Sequence, residues 1–284
     1  MTMKPSTIGW ADYSGADANF VLRGKNDGDC ECSLGCKNCY VIRLDKRYSF
    51  LPEITTAYAY KLNRLMTKKF PKYSPKRGAP NKPLVFVVNC GDLFHPNVSD
   101  LFILEAIGCL GHRPDVDWAI LTKRPERIRE VLEYTAYTNI YMGVSCENQA
   151  MADRRIPVLL ANWKGPKFVS VEPMLEPIQL HDSSNSWLSC PLVDEEPTED
   201  DPIGTDCCET YAVYGEHFRG IDWVICGAES GNSCRPFDPL WAKAIYEDCK
   251  SAGIPFFGKQ DSDRYPGRPL HIDGRMIHKW PGSR

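Results

Sequence analysis

The stretch Trp118-Ala119-Ile120-Leu121-Thr122-Lys123-Arg124-Pro125-Glu126-Arg127-Ile128-Arg129-Glu130-Val131-Leu132 holds three things in order: a short apolar run, a polar cluster and a helical pattern. Four apolar residues at 118–121 are too few for a buried helix and suit a strand covered on both faces. Pro125 has a fixed φ and no N–H, so it opens a helix. Behind it, Ile128, Val131 and Leu132 recur at helical spacing and form one apolar face. The stretch is therefore one strand, one polar rim and one helix.

The same order recurs along the chain. Apolar runs at 84–88, 140–144, 168–171, 223–226 and 255–257 read as further strands, and 7–10 as a first one. Ser99 is placed to cap a helix over 101–110, and Asp238 one opened by Pro239, with Trp241, Ile245 and Cys249 on one face and Gly253 past its end. Strands that alternate with helices pair in parallel, because only a crossover returns the chain to the same edge. Seven such strands predict an α/β fold: a complete or nearly complete parallel TIM-like barrel, one domain over 1–284.

A chain of 284 residues, 43% hydrophobic and 25% charged, has enough apolar surface for such a core. Its N-terminal residues are interrupted by Pro5, Asp12 and Asp17, so no membrane span is expected there and the predicted setting is cytoplasmic. Thirteen cysteines, an odd number in a chain of this size, suit reduced thiols and metal ligation better than a disulfide framework. A net charge of −3 argues against a general polyanion binder and leaves room for local charge patches. Two segments break the rhythm. Residues 54–82 carry eight Lys or Arg and no Asp or Glu, interleaved with Tyr58, Tyr60, Phe70 and Tyr73. Lys68, Lys69 and Lys72 there are candidate contacts to a nucleic-acid substrate, against the alternative of a solvated helix and loop. Residues 181–220 form an acidic insertion, expected as a surface excursion or lid.

Cys30, Cys32, Cys36 and Cys39 fall within ten residues, and the last three have the spacing C-x3-C-x2-C followed by Tyr40. Three close thiolates can hold a 4Fe–4S cluster and leave one iron without a protein ligand. Gly35 lets the backbone approach the sulfurs closely. The alternative is a structural zinc site that also uses Cys30. Cys32, Cys36 and Cys39 are the predicted metal ligands, on a cluster-binding loop after the first barrel strand. A cluster with an open iron resembles the radical S-adenosylmethionine superfamily, in which that iron binds S-adenosylmethionine and the reduced cluster cleaves it to a 5'-deoxyadenosyl radical.

In a parallel barrel, chemistry belongs at the carboxyl ends of the strands. The predicted strands end in Asn89-Cys90-Gly91-Asp92 with His95 nearby, Thr122-Lys123-Arg124, Ser145-Cys146-Glu147-Asn148, Glu172-Pro173, Gly227-Ala228-Glu229 and Gly258-Lys259-Gln260. A zwitterion, a ribose and an adenine need carboxylate, cationic and amide partners around one mouth. Asp92 is predicted for the amino group, Lys123 or Arg124 for the carboxylate, and Glu147 or Asn148 for the ribose. Tyr40, Asn89, Ser145 and Glu172 complete the predicted cofactor set. Lys123, Glu229 and Lys259 are the candidate catalytic residues, with His95 and Gln260 facing the substrate.

Taken in order, Ile8-Gly9-Trp10, Gly35-Cys36-Lys37-Asn38-Cys39-Tyr40, Asp92-Leu93-Phe94-His95, Leu121-Thr122-Lys123-Arg124-Pro125, Gly143-Val144-Ser145, Glu147-Asn148, Val171-Glu172-Pro173, Gly227-Ala228-Glu229-Ser230-Gly231 and Phe256-Phe257-Gly258-Lys259-Gln260 resemble the phage-associated gene product thirty-seven/sixty-eight family of radical-SAM-like barrels. Asn38 stands where most radical SAM enzymes have an aromatic residue, and the family's first cysteine is spaced more like Cys30 than Cys32. The resemblance implies phage or prophage origin and hypermodification of thymidine in DNA. The implied reaction is isomerisation of a glycine-type adduct from nitrogen-linked to carbon-linked, with an electron donor such as flavodoxin or ferredoxin. A free small molecule or an RNA base is the alternative substrate, and a zinc-stabilised nucleic-acid-binding barrel is the alternative without catalysis.

Overall fold

A computed structural model describes residues 3, 5–27, 33–78, 80–132, 137–180, 187–188 and 220–282. In chain order the strands are β1 (Val21–Leu22), β2 (Thr56–Ala57), β3 (Leu84–Val87), β4 (Asp117–Thr122), β5 (Ile140–Ser145), β6 (Lys167–Val171), β7 (Trp223–Cys226) and β8 (Phe256–Gly258). The helices are α1 (Tyr40–Tyr48), α2 (Ala59–Met66), α3 (Asp100–Gly111), α4 (Glu126–Leu132), α5 (Gln149–Asn162) and α6 (Pro239–Ser251). Strands β3 to β8 pair in parallel in sequence order, and β1 pairs with β2 antiparallel in a separate small sheet. Every one of the six runs read as strands from 84 onward is a strand of the parallel sheet.

The complete or nearly complete barrel expected from the sequence is not what the described residues form. Six parallel strands make a half-barrel sheet, and the predicted first strand at 7–10 is a turn, with the Ala11 N–H donating to the Ile8 carbonyl. Apolar residues there mark core filling instead of strand pairing: Trp10 is buried on the concave face. The chain reaches the sheet just after this turn, where Tyr13 makes a parallel bridge to Val85 and the Asp12 N–H donates to the Leu84 carbonyl at 2.9 Å. At the other edge Phe257 bridges His278, and the Gly258 N–H donates to the Ile277 carbonyl at 2.8 Å. Short irregular segments thus cover both edge strands. The expected cluster loop after a first barrel strand instead follows β1, a strand of the small antiparallel sheet.

Alternation along the strands divides the core in two. Leu84, Phe86, Ala119, Phe168, Trp223, Ile225 and Phe257 fill the concave face with Trp10. Val85, Val87, Trp118, Ile120, Met142, Val144 and Val169 face the helices. The concave layer is aromatic: Trp10 lies 4.6 Å from Phe86 and 5.6 Å from Trp223 between ring centroids. Such pairs add roughly 0.5–1.5 kcal/mol each beyond the area they bury. Gly143 makes room for this packing, because a Cβ there would stand 2.4 Å from the Phe168 ring.

Polar side chains start the helices where the sequence places them. Ser99 accepts from the Phe102 N–H at 3.3 Å, and Asp238 from the Leu240 N–H at 2.9 Å. Gly253, at φ 69°, follows the end of α6. No helix among the described residues is long and apolar enough to cross a membrane. Of the 181–220 insertion only Trp187, Leu188 and Gly220 are described. The two apolar residues are buried, with Trp187 bonded through its backbone to Leu180 and Ile221.

Candidate functional site

The chain leaves β1, passes through the cysteine segment and turns into α1 directly after Cys39. Cys36 ends a single 3-10 turn (Leu34–Cys36), and the Cys39 N–H donates to the Cys36 carbonyl at 3.2 Å. This loop is seated on the carboxyl ends of the strands. A Cβ built on Gly35 would lie 3.3 Å from Pro173 Cδ, 3.4 Å from Lys123 Nζ and 3.6 Å from Glu147 Cβ, so the rims of β4, β5 and β6 form a cradle around it. Lys123 Nζ donates to Ser33 Oγ at 2.9 Å and to Cys36 Sγ at 3.3 Å. Asn38 fastens the far side, donating to Glu229 Oε2 at 3.1 Å and to the Ser233 carbonyl at 2.8 Å.

Cys36 and Cys39 are therefore half-buried thiols at the mouth of the half-barrel. Cys30 and Cys32 lie outside the described residues, and among the described residues no three His, Cys, Asp or Glu groups gather to hold a metal ion. Cys39 packs with Leu22, Val41, Leu51 and Cys90 in a small apolar cluster. Burial, and next the neighbouring Cys39, push the Cys90 thiol up to about 11. Sequence reading placed Cys90 on the β3 rim but could not place it against Cys39, because the two meet only when α1 packs over that rim. The Tyr40 hydroxyl donates to the Asn89 carbonyl at 2.6 Å and ties the start of α1 to the same place.

Around the mouth each carboxylate singled out from the sequence carries a cation. Asp92 holds Arg124 at 2.9 Å, Glu147 holds Arg155 at 3.1 Å, Glu172 holds Lys259 at 2.9 Å, and Glu229 is paired with Arg235. Asp92 also accepts from Thr122 Oγ1 at 2.7 Å and from the Lys123 and Phe94 N–H groups, so it locks two rims together. Glu147 is fully buried, and its Oε1 has no hydrogen-bond partner among the described residues. Arg155 and Arg235 were not singled out from the sequence. The spacings Glu147 to Arg155 and Glu229 to Arg235 carry no recognisable signal, since helix and loop geometry bring each pair together.

Other predicted residues have structural partners. Asn148 caps α5, accepting from the Met151 N–H at 2.9 Å, and the Ser145 carbonyl accepts from Arg155 at 2.6 Å. Gln260 Nε2 donates to the Ala228 carbonyl at 2.9 Å, joining the β7 and β8 rims. His95 Nε2 lies 3.6 Å from Asp27 Oδ2, at the root of the cysteine segment. Burial, and next the Arg124 guanidinium, push the His95 imidazole below its ordinary value against the pull of Asp27 and Asp92.

Of the lysines in 54–82, Lys61 faces Cys90 and pulls its thiol down against burial, whereas those from Lys68 onward lie apart from this site. Lys68 Nζ is paired with Asp17 at 2.8 Å. Further on, Arg77 is bound to Asp117, the first residue of β4, and Lys76 to the Ser6, Ile8 and Ala11 carbonyls. The segment thus feeds β3 at the amino ends of the strands, opposite the mouth. Lys69 and Lys72 are exposed there.

A family model described as "protein of unknown function (DUF5131)" matches residues 25–271, which takes in the cysteine segment, every strand of the parallel sheet and all four rim pairs. The chain belongs to the DUF5131 family. No curated protein and no solved structure matches it. The site of this DUF5131 member consists of two thiols on a seated loop, a lysine against one sulfur, and a ring of paired charges at the open end of a half-barrel.

Proposed function

We propose that this chain is a radical SAM enzyme whose 4Fe–4S cluster is held by Cys36, Cys39 and Cys32. The observation that carries this reading is the Gly35 cradle: the part of the cysteine loop from Ser33 to Cys39 rests on the β4, β5 and β6 rims with Cys36 beside Lys123, over the end of a parallel sheet where ligands of such sheets bind. The donor set suits the group, since thiolates are the ligands of iron–sulfur clusters and three of them leave one iron open. When bound with S-adenosylmethionine, such a cluster supplies a carbon radical able to take hydrogen from an unactivated carbon. No side-chain base does that at neutral pH.

The chain's own residues would hold the cofactor and shield it. The Asp92–Arg124 pair offers one carboxylate and one guanidinium to the amino and carboxylate groups of the methionine portion. Glu147 Oε1, which has no hydrogen-bond partner among the described residues, suits a hydroxyl donor such as the ribose. Glu172 and Lys259 lie on the adjoining rims. The substrate reading follows the resemblance to the phage gene product family: an amino-acid-modified thymine in phage DNA, isomerised in the bacterial host cytoplasm with flavodoxin or ferredoxin as electron donor. Its contact with DNA is assigned to the mouth, because Lys68 is engaged by Asp17 and Lys69 and Lys72 stand at the opposite end.

The test is anaerobic reconstitution with iron and sulfide, followed by metal and sulfide analysis and by incubation of the reduced protein with S-adenosylmethionine. Expected are bound iron and sulfide, formation of 5'-deoxyadenosine, and loss of both in Cys36→Ala and Cys39→Ala. Bound zinc with no iron, in a folded wild-type protein, would overturn the reading.

A further inference from the structure

We infer that Lys123 is a positioning residue for the Cys36 sulfur, compensating its negative charge, instead of a group that handles substrate. Its ammonium donates to Cys36 Sγ at 3.3 Å and to Ser33 Oγ at 2.9 Å, which bracket the 3-10 turn carrying the cysteine. The base of the side chain is fixed as well. The Lys123 N–H donates to Asp92 Oδ2 at 3.2 Å, and its neighbour Thr122 donates to the same carboxylate. A rigid rim thus aims a flexible stem at one sulfur. Cys39 differs, since it sits against the apolar cluster of Leu22, Val41 and Leu51. The two thiols of one loop therefore face unlike surroundings: Cys36 has the Lys123 ammonium and the Ser33 hydroxyl beside its sulfur, at 3.3 and 3.9 Å.

A cation at hydrogen-bond distance stabilises negative charge on sulfur, which makes an uncoordinated cysteine more reactive at neutral pH. If that sulfur ligates a cluster, the same charge favours the reduced state, because reduction adds an electron beside it, and hydrogen bonds to cluster sulfurs raise the potential. This second consequence rests on the cluster reading above; the first does not.

Two measurements separate them. In metal-free, thiol-reduced protein, iodoacetamide labelling read by peptide mass spectrometry gives the rates at Cys36 and Cys39 at one fixed pH. Lys123→Met is expected to change the Cys36 rate severalfold, to leave Cys39 within twofold, and Lys123→Arg to restore most of the wild-type rate. An unchanged Cys36 rate in a folded Lys123→Met protein overturns the inference. In reconstituted protein, a redox titration followed by electron paramagnetic resonance is expected to give a lower midpoint for Lys123→Met than for wild type, at equal iron content, with Lys123→Arg near wild type; equal midpoints for wild type and Lys123→Met would overturn the redox role. If the protein takes up no iron at all, the cluster reading fails, while the labelling arm still decides whether Lys123 serves Cys36.

Discussion

The indole N–H of Trp280 donates to the backbone carbonyl of Trp10 at 2.9 Å, and this bond ties the two ends of the chain across the open side of the six-stranded sheet. Trp10 fills the concave core, while Trp280 packs 5.0 Å from the Phe257 ring on the last strand. The seam that a full barrel would close with strand pairing is closed here by two tryptophans. Trp280→Phe keeps most of the ring contact but removes the donor, and leaves a carbonyl of a buried residue without this partner. A loss of about 1–2 kcal/mol is expected in urea unfolding, with unchanged secondary structure. A loss below about 0.3 kcal/mol would mean the seam is held by packing alone.

Glu229 joins the third-cysteine loop to the β7 rim, and its charge makes that junction pH-dependent. Burial pushes its carboxyl up, but hydrogen bonds from Arg235 and Asn38 outweigh burial and hold it below the ordinary value. A depressed folded value stabilises the protein above the unfolded pKa, and that contribution is lost as pH falls through the folded one. Glu229→Gln should therefore cost roughly 1–2 kcal/mol near pH 7, and the difference from wild type should shrink in acid, below about pH 4. Urea midpoints at both ends of that range check the sign; a difference that grows in acid contradicts it.

Lys167, the first residue of β6, adds a second rise of stability with pH, in a more alkaline window. It is almost fully buried, and burial lowers its ammonium to about 8 against the pull of Asp222, with Lys164 adding to the lowering. Between that value and the ordinary 10.5 the unfolded chain holds a proton that the folded chain has released. Stability therefore rises with pH across this window, by at most about 1.4 kcal/mol per pH unit. Lys167→Met should remove that rise, and parallel wild-type and variant stability curves between pH 7.5 and 10 would refute it.

Much of this architecture was legible in the sequence because it depends on near neighbours. The run 118–132 reads as strand, rim and helix, since Pro125 and the spacing of Ile128, Val131 and Leu132 act within a few residues. Ser99 and Asp238 cap the helices they precede for the same local reason. The cysteine spacing and the polar ends of the strands marked the mouth, and the chain brings Cys36, Lys123, Asp92, Glu147 and Glu229 to one end of the sheet.

Tertiary structure alone decided what depends on distant residues. An apolar Trp10 reads the same whether it pairs as a strand or plugs a concave face, so closure of the sheet could not be read from residues 7–10. Lysine charge in 54–82 was plain in the sequence, but not that Asp17 takes up Lys68 or that the segment enters β3 at the end away from the cysteines. Nor do spacings of eight and six residues announce that Arg155 neutralises Glu147 and Arg235 neutralises Glu229. Hydrophobic period and turn chemistry are properties of a short segment, whereas a buried charge finds its partner only when separate segments are packed against each other and water is excluded between them.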